Sequence, residues 1–466
     1  MRTFQSLFLL AGFACLAGLP IGGVPTCCGY QAEPAATQSS TADSKELESR
    51  VDEYLMPYVS TGNFSSTVLI ARNGEILFIK GYGNANRQEE IPNDEQTVFH
   101  LASISRIFTS AAIILLEQQG KLSLDDPLSK YLPDWPRGDE ITIHHLLSLS
   151  AGFPNINTMP GYWAWSQKPQ TPSSLCEKFR DLPIEFEPGE KTVHSNSNYN
   201  VLALLIEKTS GQSYGEFLAN ELFVPLGMSQ TAHDDKAEPV PHEAIGYRPV
   251  GLADLQESQT LDWTVKTGNG SIYSSVTDLY KFDRMLANRS LLNDSSVDKL
   301  FTEHFPNHGY GWFVQQQPGG RELYINGRSP GFGAFWVRAA EPDITVIILG
   351  NLYNSVSTPI GRDLVKLVMG EDVRPETISP EEPDPKLLEQ IAGAYQFGPD
   401  FYRPNAKRNF IVRQGHLFSG QDWLIPAGES TFVHRIYWST LKFESDASGA
   451  FTRVLYDDFV GHRVND

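Results

Sequence analysis

Between Glu371 and Pro385 the sequence places four prolines and six acidic side chains in fifteen positions, a composition that no helix interior or central strand can hold. Each proline removes a backbone donor and fixes φ, and the like charges repel one another, so the stretch reads as an extended linker at a domain boundary. A chain of 466 residues has room for two or three folding units, and the linker marks where one ends. Residues 45–370 form the larger body and residues 386–466 the smaller, with 371–385 between them. Past the linker, short runs such as Phe410-Ile411-Val412 and Thr440 to Phe443 alternate apolar and polar positions and are broken by Gly and Asp. That pattern predicts a small all-β C-terminal domain of antiparallel strands. Trp423, Tyr437 and Trp438 are expected to fill its barrel or sandwich core.

The larger body mixes both periodicities, which makes it an α/β (α+β) unit. Thr67 to Phe78 reads as two β-branched strands around Arg72-Asn73-Gly74-Glu75, because Asn-Gly supplies the positive φ angles of a tight hairpin. Ser103 to Gln119 carries apolar residues at helical spacing and is stopped by Gly120, so Ser103 is expected at a helix N-terminus. The polar cluster His194 to Asn198 feeds a second helix, Tyr199 to Thr209, which Gly211 closes. Ala334 to Arg338 and Ile344 to Leu349 read as a returning hairpin, and Thr358 to Met369 as a last helix before the linker.

Arg2 followed by the apolar run Leu7 to Leu19, too short to span a bilayer comfortably, has the form of an export signal. Residues 1–28 are therefore read as a signal peptide, residues 29–44 as a flexible spacer, and the mature protein as extracytoplasmic, either periplasmic or secreted. Cys15, Cys27 and Cys28 lie in or just after this segment without a convincing lipoprotein cleavage pattern; release and a lipid anchor both stay open, and membrane contact is expected only through such an anchor. Cys176 is then alone in the folded body, so no disulfide framework is expected. Lys and Arg total 37 against 56 Asp and Glu, and the net charge of −19 repels nucleic acid. His304 and His308 have helical metal-pair spacing, but Pro306 lies between them and no third ligand is evident, so neither a metal nor a cofactor is expected. A small molecule or a peptide is the expected substrate class. The oligomeric state is left open by the sequence.

A hydroxyl at a helix N-terminus is partly activated, because unpaired N–H groups there stabilise nearby negative charge. Ser103 has that placement, and Arg106 falls on the same face one turn later. The surrounding block, Thr97 to Ser110 followed by Gly120 to Pro127, resembles the Ser-x-x-Lys region of the penicillin-recognising serine hydrolases (serine β-lactamase-like), especially the class C β-lactamase, esterase and D-alanyl peptidase branch. Ile141 to Gly152, Phe186 to Asn200, Pro225 to Met228, Gly268 to Leu286 and Gly309 to Trp312 follow in that family's order, so the resemblance spans about Leu47 to Met369. It implies a β-lactamase/transpeptidase-like antiparallel sheet flanked by helices plus a helical subdomain.

In the family, Ser-x-x-Lys supplies nucleophile and amine, Tyr-x-Asn a relay hydroxyl and a substrate-binding amide, and Lys/His-x-Gly flanks the oxyanion strand. Here the lysine falls on Arg106, the tyrosine on His194 and the third-motif Lys/His on Ile325, while Ser103, Asn196 and Gly327 keep the family's residue types. The resemblance also implies an oxyanion hole from the backbone N–H groups of Ser103 and Arg328, which altered side chains need not remove. A guanidinium cannot give up its proton, so Arg106 can lend charge or fill space but cannot act as a base. His194 titrates near neutrality, and a cation beside it favours the neutral imidazole that a base requires, so a Ser103–His194 dyad is chemically available. Asn196 is read either as a substrate-facing amide or as a cap of its loop. Two functions follow: a serine hydrolase acting on an amide or ester through a Ser103 acyl-enzyme, or a catalytically inactive relative whose cleft binds a peptidoglycan-like peptide or a protein partner.

Overall fold

The computed structural model describes residues 41–235, 239–250, 254–259, 261–317, 320–340, 342–375 and 383–464, with side chains from residue 45 onward. The signal-peptide stretch, the spacer as far as residue 40 and linker positions 376–382 lie outside the described residues.

Six strands form the central antiparallel sheet: β1 (Ser66–Arg72), β2 (Glu75–Tyr82), β3 (Phe313–Gln317), β4 (Gly320–Ser329), β5 (Phe332–Ala339) and β6 (Ile344–Gly350). Their order is β3-β4-β5-β6-β1-β2. β1 and β2 meet through Asn73 and Gly74, at φ of 53° and 83°, the left-handed pair that lets a two-residue turn follow the strand twist. β6 pairs with β1 from Ser66↔Gly350 to Arg72↔Ile344. Distant parts of the sequence are thereby joined in one sheet.

Five helices matter for the layers: α1 (Thr41–Ser60), α2 (Ser105–Gln118), α3 (Ser197–Ser210), α4 (Val276–Asn288) and α5 (Ser357–Val368). Successive strand residues point to opposite faces, and here both faces are buried. Leu69, Trp336, Ile347 and Leu349 share a core with Phe108 of α2, Leu205 of α3 and Phe282 of α4. Val68, Ile70, Phe335, Val337 and Ile348 share a second core with Leu55 of α1 and Leu364 of α5. The expected hairpins and helices are thus present, assembled as an antiparallel sheet between helical layers.

The C-terminal segment opens with a short helix, Pro385–Ile391, whose Leu388 and Ile391 pack into the barrel core; the rest is antiparallel β, as expected, and closes on itself. Its strands are β7 (Gly393–Phe397), β8 (Lys407–Arg413), β9 (His416–Ser419), β10 (Asp422–Pro426), β11 (Thr431–His434), β12 (Thr440–Ser445), β13 (Phe451–Tyr456) and β14 (Phe459–Val464), forming a closed barrel. Tyr395, Phe410, Phe432 and Phe443 fill its interior. The three aromatic residues expected in that interior are elsewhere. Trp423 and Trp438 join the second core of the sheet layer, and Tyr437 is 44% exposed, because they sit at the barrel end that docks onto the larger body.

Arg435 anchors this docking. It is 1% exposed; its Nε donates to Asn63 Oδ1 at 3.1 Å and its Nη1 to the carbonyl oxygens of Val250 and Asp254 at 3.3 and 3.4 Å. The Ser355 amide donates to the Ile436 carbonyl at 2.9 Å, and Trp438 lies against Tyr58 with ring centroids 5.7 Å apart. Removing the guanidinium strands these buried acceptors, so Arg435→Ala is expected to lose about 1–3 kcal/mol of stability. Equilibrium urea unfolding of the full chain measures this, and an unchanged midpoint would contradict the anchoring role.

Candidate active site

The Ser103 turn is built where a short strand ends. Phe99 and His100 pair with Ser274 and Tyr273, the Leu101 amide donates to the Ile272 carbonyl at 2.9 Å, and Ala102 then turns into the left-handed region at φ 50°. A non-glycine residue pays about 1 kcal/mol or more for that conformation, and such strain persists where surrounding packing fixes it. Ser103 therefore lies in a 3-10 turn, Ala102–Ile104, that runs directly into α2, at the helix N-terminus expected from the sequence. Its hydroxyl has no hydrogen-bond partner among the described residues.

Gly327 of β4 lies over this turn. A Cβ there would collide with the Leu101 carbonyl oxygen and come 3.2 Å from the Ser103 amide nitrogen, so only glycine lets the strand approach the nucleophile's N–H. β4 pairs with β5 through Gly327↔Ala334 and Arg328↔Gly333, and alternation sends neighbouring side chains to opposite faces. Ile325 is fully buried in the helical-side core. The Arg328 side chain leaves on the other face, where Nη1 donates to Ser355 Oγ at 3.1 Å and the guanidinium stacks on Tyr437 at 4.6 Å.

Arg106 is buried and spans two of the expected site residues. Its Nε donates to the Ser103 carbonyl at 3.2 Å and its Nη1 to His194 Nδ1 at 3.4 Å, while its guanidinium lies 5.8 Å from the Tyr199 ring centre. Burial lowers its pKa, yet a guanidinium stays charged throughout the physiological range. Because Nδ1 of His194 accepts, the neutral ring carries its proton on Nε2. His194 is exposed as a residue, but protein crowds its ring: desolvation first, then the Arg106, His308 and Lys266 charges, push its pKa down to about 3. The imidazole is neutral at ordinary pH, with its lone pair turned toward Arg106. No hydrogen bond joins it to the Ser103 hydroxyl among the described residues.

Asn196 is buried and stands at the head of α3 without a capping side-chain bond. Its amide side chain donates to Asn155 Oδ1 at 3.4 Å, and its backbone N–H donates to the same oxygen at 3.3 Å. Asn155 also accepts from the Asn157 amide at 3.2 Å, and Asn157 Oδ1 accepts from Lys266 Nζ at 3.1 Å. Lys266 is the residue that sequence reasoning missed. It is buried, lies 5.1 Å from the Tyr162 ring centre, makes no ion pair among the described residues, and has its pKa lowered to about 7 by desolvation. A signal was present: Lys266-Thr267-Gly268 matches Lys-x-Gly literally. Its Gly268, at φ 87°, is pressed against the Tyr199 backbone instead of the nucleophile.

His304 donates from Nε2 to the Lys299 carbonyl (3.1 Å) and stacks on Tyr310 at 3.9 Å, while His308 Nδ1 donates to the Pro306 carbonyl oxygen at 2.8 Å. The two rings are engaged separately.

The family model for Beta-lactamase matches residues 51–369, the stretch that holds the serine turn, the His194 loop and the Gly327 strand. The chain belongs to the Beta-lactamase family. This beta-lactamase-family chain is 32% identical over 339 residues to penicillin-binding protein PbpX of Bacillus subtilis (strain 168), covering 69% of the chain and 83% of that relative. It is 31% identical over 434 residues to a second penicillin-binding protein of the same strain, covering 85% and 93%. Among solved structures, the octameric penicillin-binding protein homologue from Pyrococcus abyssi matches with TM-score 0.62 at 23% identity, covering 90% of this chain and 99% of that one. Within this serine hydrolase fold, Gly327 closes on the Ser103 amide, and the Arg106 guanidinium and His194 imidazole lie beside the same turn.

Proposed function

We propose that this chain is an exported serine hydrolase that cleaves an ester or amide through an acyl-enzyme on Ser103, with His194 as the base. The observation that carries the reading is the approach of Gly327 to the Ser103 amide, which supports a pair of backbone donors, from Ser103 and Arg328, for a developing oxyanion. The Ser103 O–H bond breaks as Oγ bonds the substrate carbonyl carbon, and the proton passes to His194 Nδ1 once substrate displaces Arg106 from that nitrogen. The imidazolium then protonates the leaving group as its bond to carbon breaks. Water repeats the sequence on the acyl-enzyme and returns the proton to the hydroxyl of Ser103. Arg106 stays charged and favours the oxyanion. A base this weak suits activated esters better than amides, although the penicillin-binding names of the Bacillus relatives support a peptide-like amide as a bound group. Asn196 is placed in this reading as a substrate-binding amide. Export rests on Arg2 and the apolar run after it.

The second reading, an inactive relative that binds a peptide or protein in the cleft, is favoured by one specific observation: Arg106 occupies Nδ1 and the Ser103 hydroxyl has no partner among the described residues. A fluorophosphonate separates the two. Mass spectrometry is expected to find one adduct, on the Ser103 peptide; no adduct between pH 5 and 9 supports the binder. The active imidazole is the neutral form, populated above a pKa of about 3, so the labelling rate is expected to be flat from about pH 5 to 8 and to fall only toward pH 3. A rate that instead rises through about pH 7 would identify Lys266, whose pKa is about 7, as the base.

A further inference from the structure

A cavity of about 710 Å³ opens where the sheet layer meets the barrel, on the face of β4 that carries the Asn326 and Arg328 side chains. Its volume is that of a small-ligand site, and its lining is cationic in a chain whose net charge is −19. Arg328 and Arg362 reach it from the sheet layer, Arg403 and Arg408 from the barrel. Arg362 is paired with Glu322 at 3.4 Å. The other three make no ion pair among the described residues. Arg408 Nε is buried without a hydrogen-bond partner among the described residues, and its guanidinium lies 5.7 Å from the Phe401 ring centre. Among the described residues one carboxylate lines the cavity, Asp457, and it is already engaged by the Tyr402 hydroxyl at 2.8 Å and the Thr440 amide at 2.9 Å.

Four arginines line the cavity beside that aspartate. His434, packed behind the cavity, is held neutral by burial first and then by Arg408 and Arg328, which push its pKa down to about 3. Asp422, the next carboxylate toward Arg328, faces Arg248 at 3.5 Å. Tyr402 and Tyr437 line the cavity and are 66% and 44% exposed, and the Arg328 guanidinium lies over the Tyr437 ring, 4.6 Å from its centre. Planar guanidinium forks recognise oxyanions through paired N–H donors, and exposed rings beside them offer a platform for a sugar or ring body.

We propose that this cavity binds a small organic anion, with a phosphate or carboxylate head held by Arg328, Arg403 and Arg408 and a sugar-sized body resting on Tyr402 and Tyr437. The site is on the opposite face of β4 from Ser103 and does not depend on the hydrolase reading. Isothermal titration of the full chain with glucose 1-phosphate, glucuronate and glucose tests it. Saturable binding of the phosphate, the carboxylate or both, with none for glucose, supports the proposal and tells which head group is preferred. Arg403→Gln, an exposed change that leaves packing intact, is expected to weaken that binding several-fold, and Arg408→Gln tenfold or more, with Arg408→Lys intermediate. No saturable binding of either acid up to about 10 mM would overturn the proposal, as would equal binding of glucose or affinity untouched by both glutamine variants.

Discussion

Ser103→Ala abolishes fluorophosphonate capture and lowers turnover of an activated ester by about 10⁴- to 10⁶-fold, the range seen when a serine nucleophile is removed from an intact site. The loss is chemical. Ser103 is half-buried in a 3-10 turn and its hydroxyl has no protein partner among the described residues, so deleting one oxygen changes stability by no more than about 0.5 kcal/mol. Backbone donors around the turn survive the change, and a small residual rate over water is expected from them. Turnover equal to that of the unaltered chain would place the reaction at another residue.

Gly327→Ala is the second large effect. The added methyl group meets the Leu101 carbonyl oxygen, which is backbone and cannot swing aside, and it presses toward the Ser103 amide at 3.2 Å. β4 and the nucleophile turn must then separate by several tenths of an ångström or more. Loss of one well-placed oxyanion donor costs about 10²- to 10³-fold in turnover, and the forced shift adds about 1–3 kcal/mol of destabilisation. Ester turnover and thermal unfolding measured side by side distinguish the two contributions: a folded variant with full activity would show that β4 takes no part in stabilising the reaction.

Residues whose roles are set by local pattern were readable before any coordinates. Asn73-Gly74 fixed a turn, the spacing after Ser103 fixed a helix, and the order of motif-like segments pointed to a sheet strand carrying Gly327. What sequence could not supply is set by contacts between distant segments. Ala102 takes its left-handed φ because Leu101 is tied to Ile272 while β4 presses on the turn, and neither constraint is visible in Leu101-Ala102-Ser103. Lys266 owes its burial and lowered pKa to packing against Tyr162 and Asn157, not to its neighbours in sequence. The barrel followed from alternation, but its closure depends on β7 pairing with β14, at opposite ends of the segment. Aromatic residues in short β domains usually fill the core, but the position of Trp438 in the loop between β11 and β12 turns it onto Tyr58 of α1 instead.

From sequence Arg106 is a cation near Ser103; in the fold it also holds the nitrogen that the proposed chemistry requires. His194→Gln offers the most direct test, because the amide can still accept from Arg106 but cannot take up a proton at ordinary pH. Measured as the pseudo-first-order rate of Ser103 acylation by an activated ester at pH 7, with unfolding midpoints matched, the variant is expected to be slower by about 10²- to 10⁴-fold. A rate within about twofold of the unaltered chain, beyond the reach of any general-base role, would contradict the account.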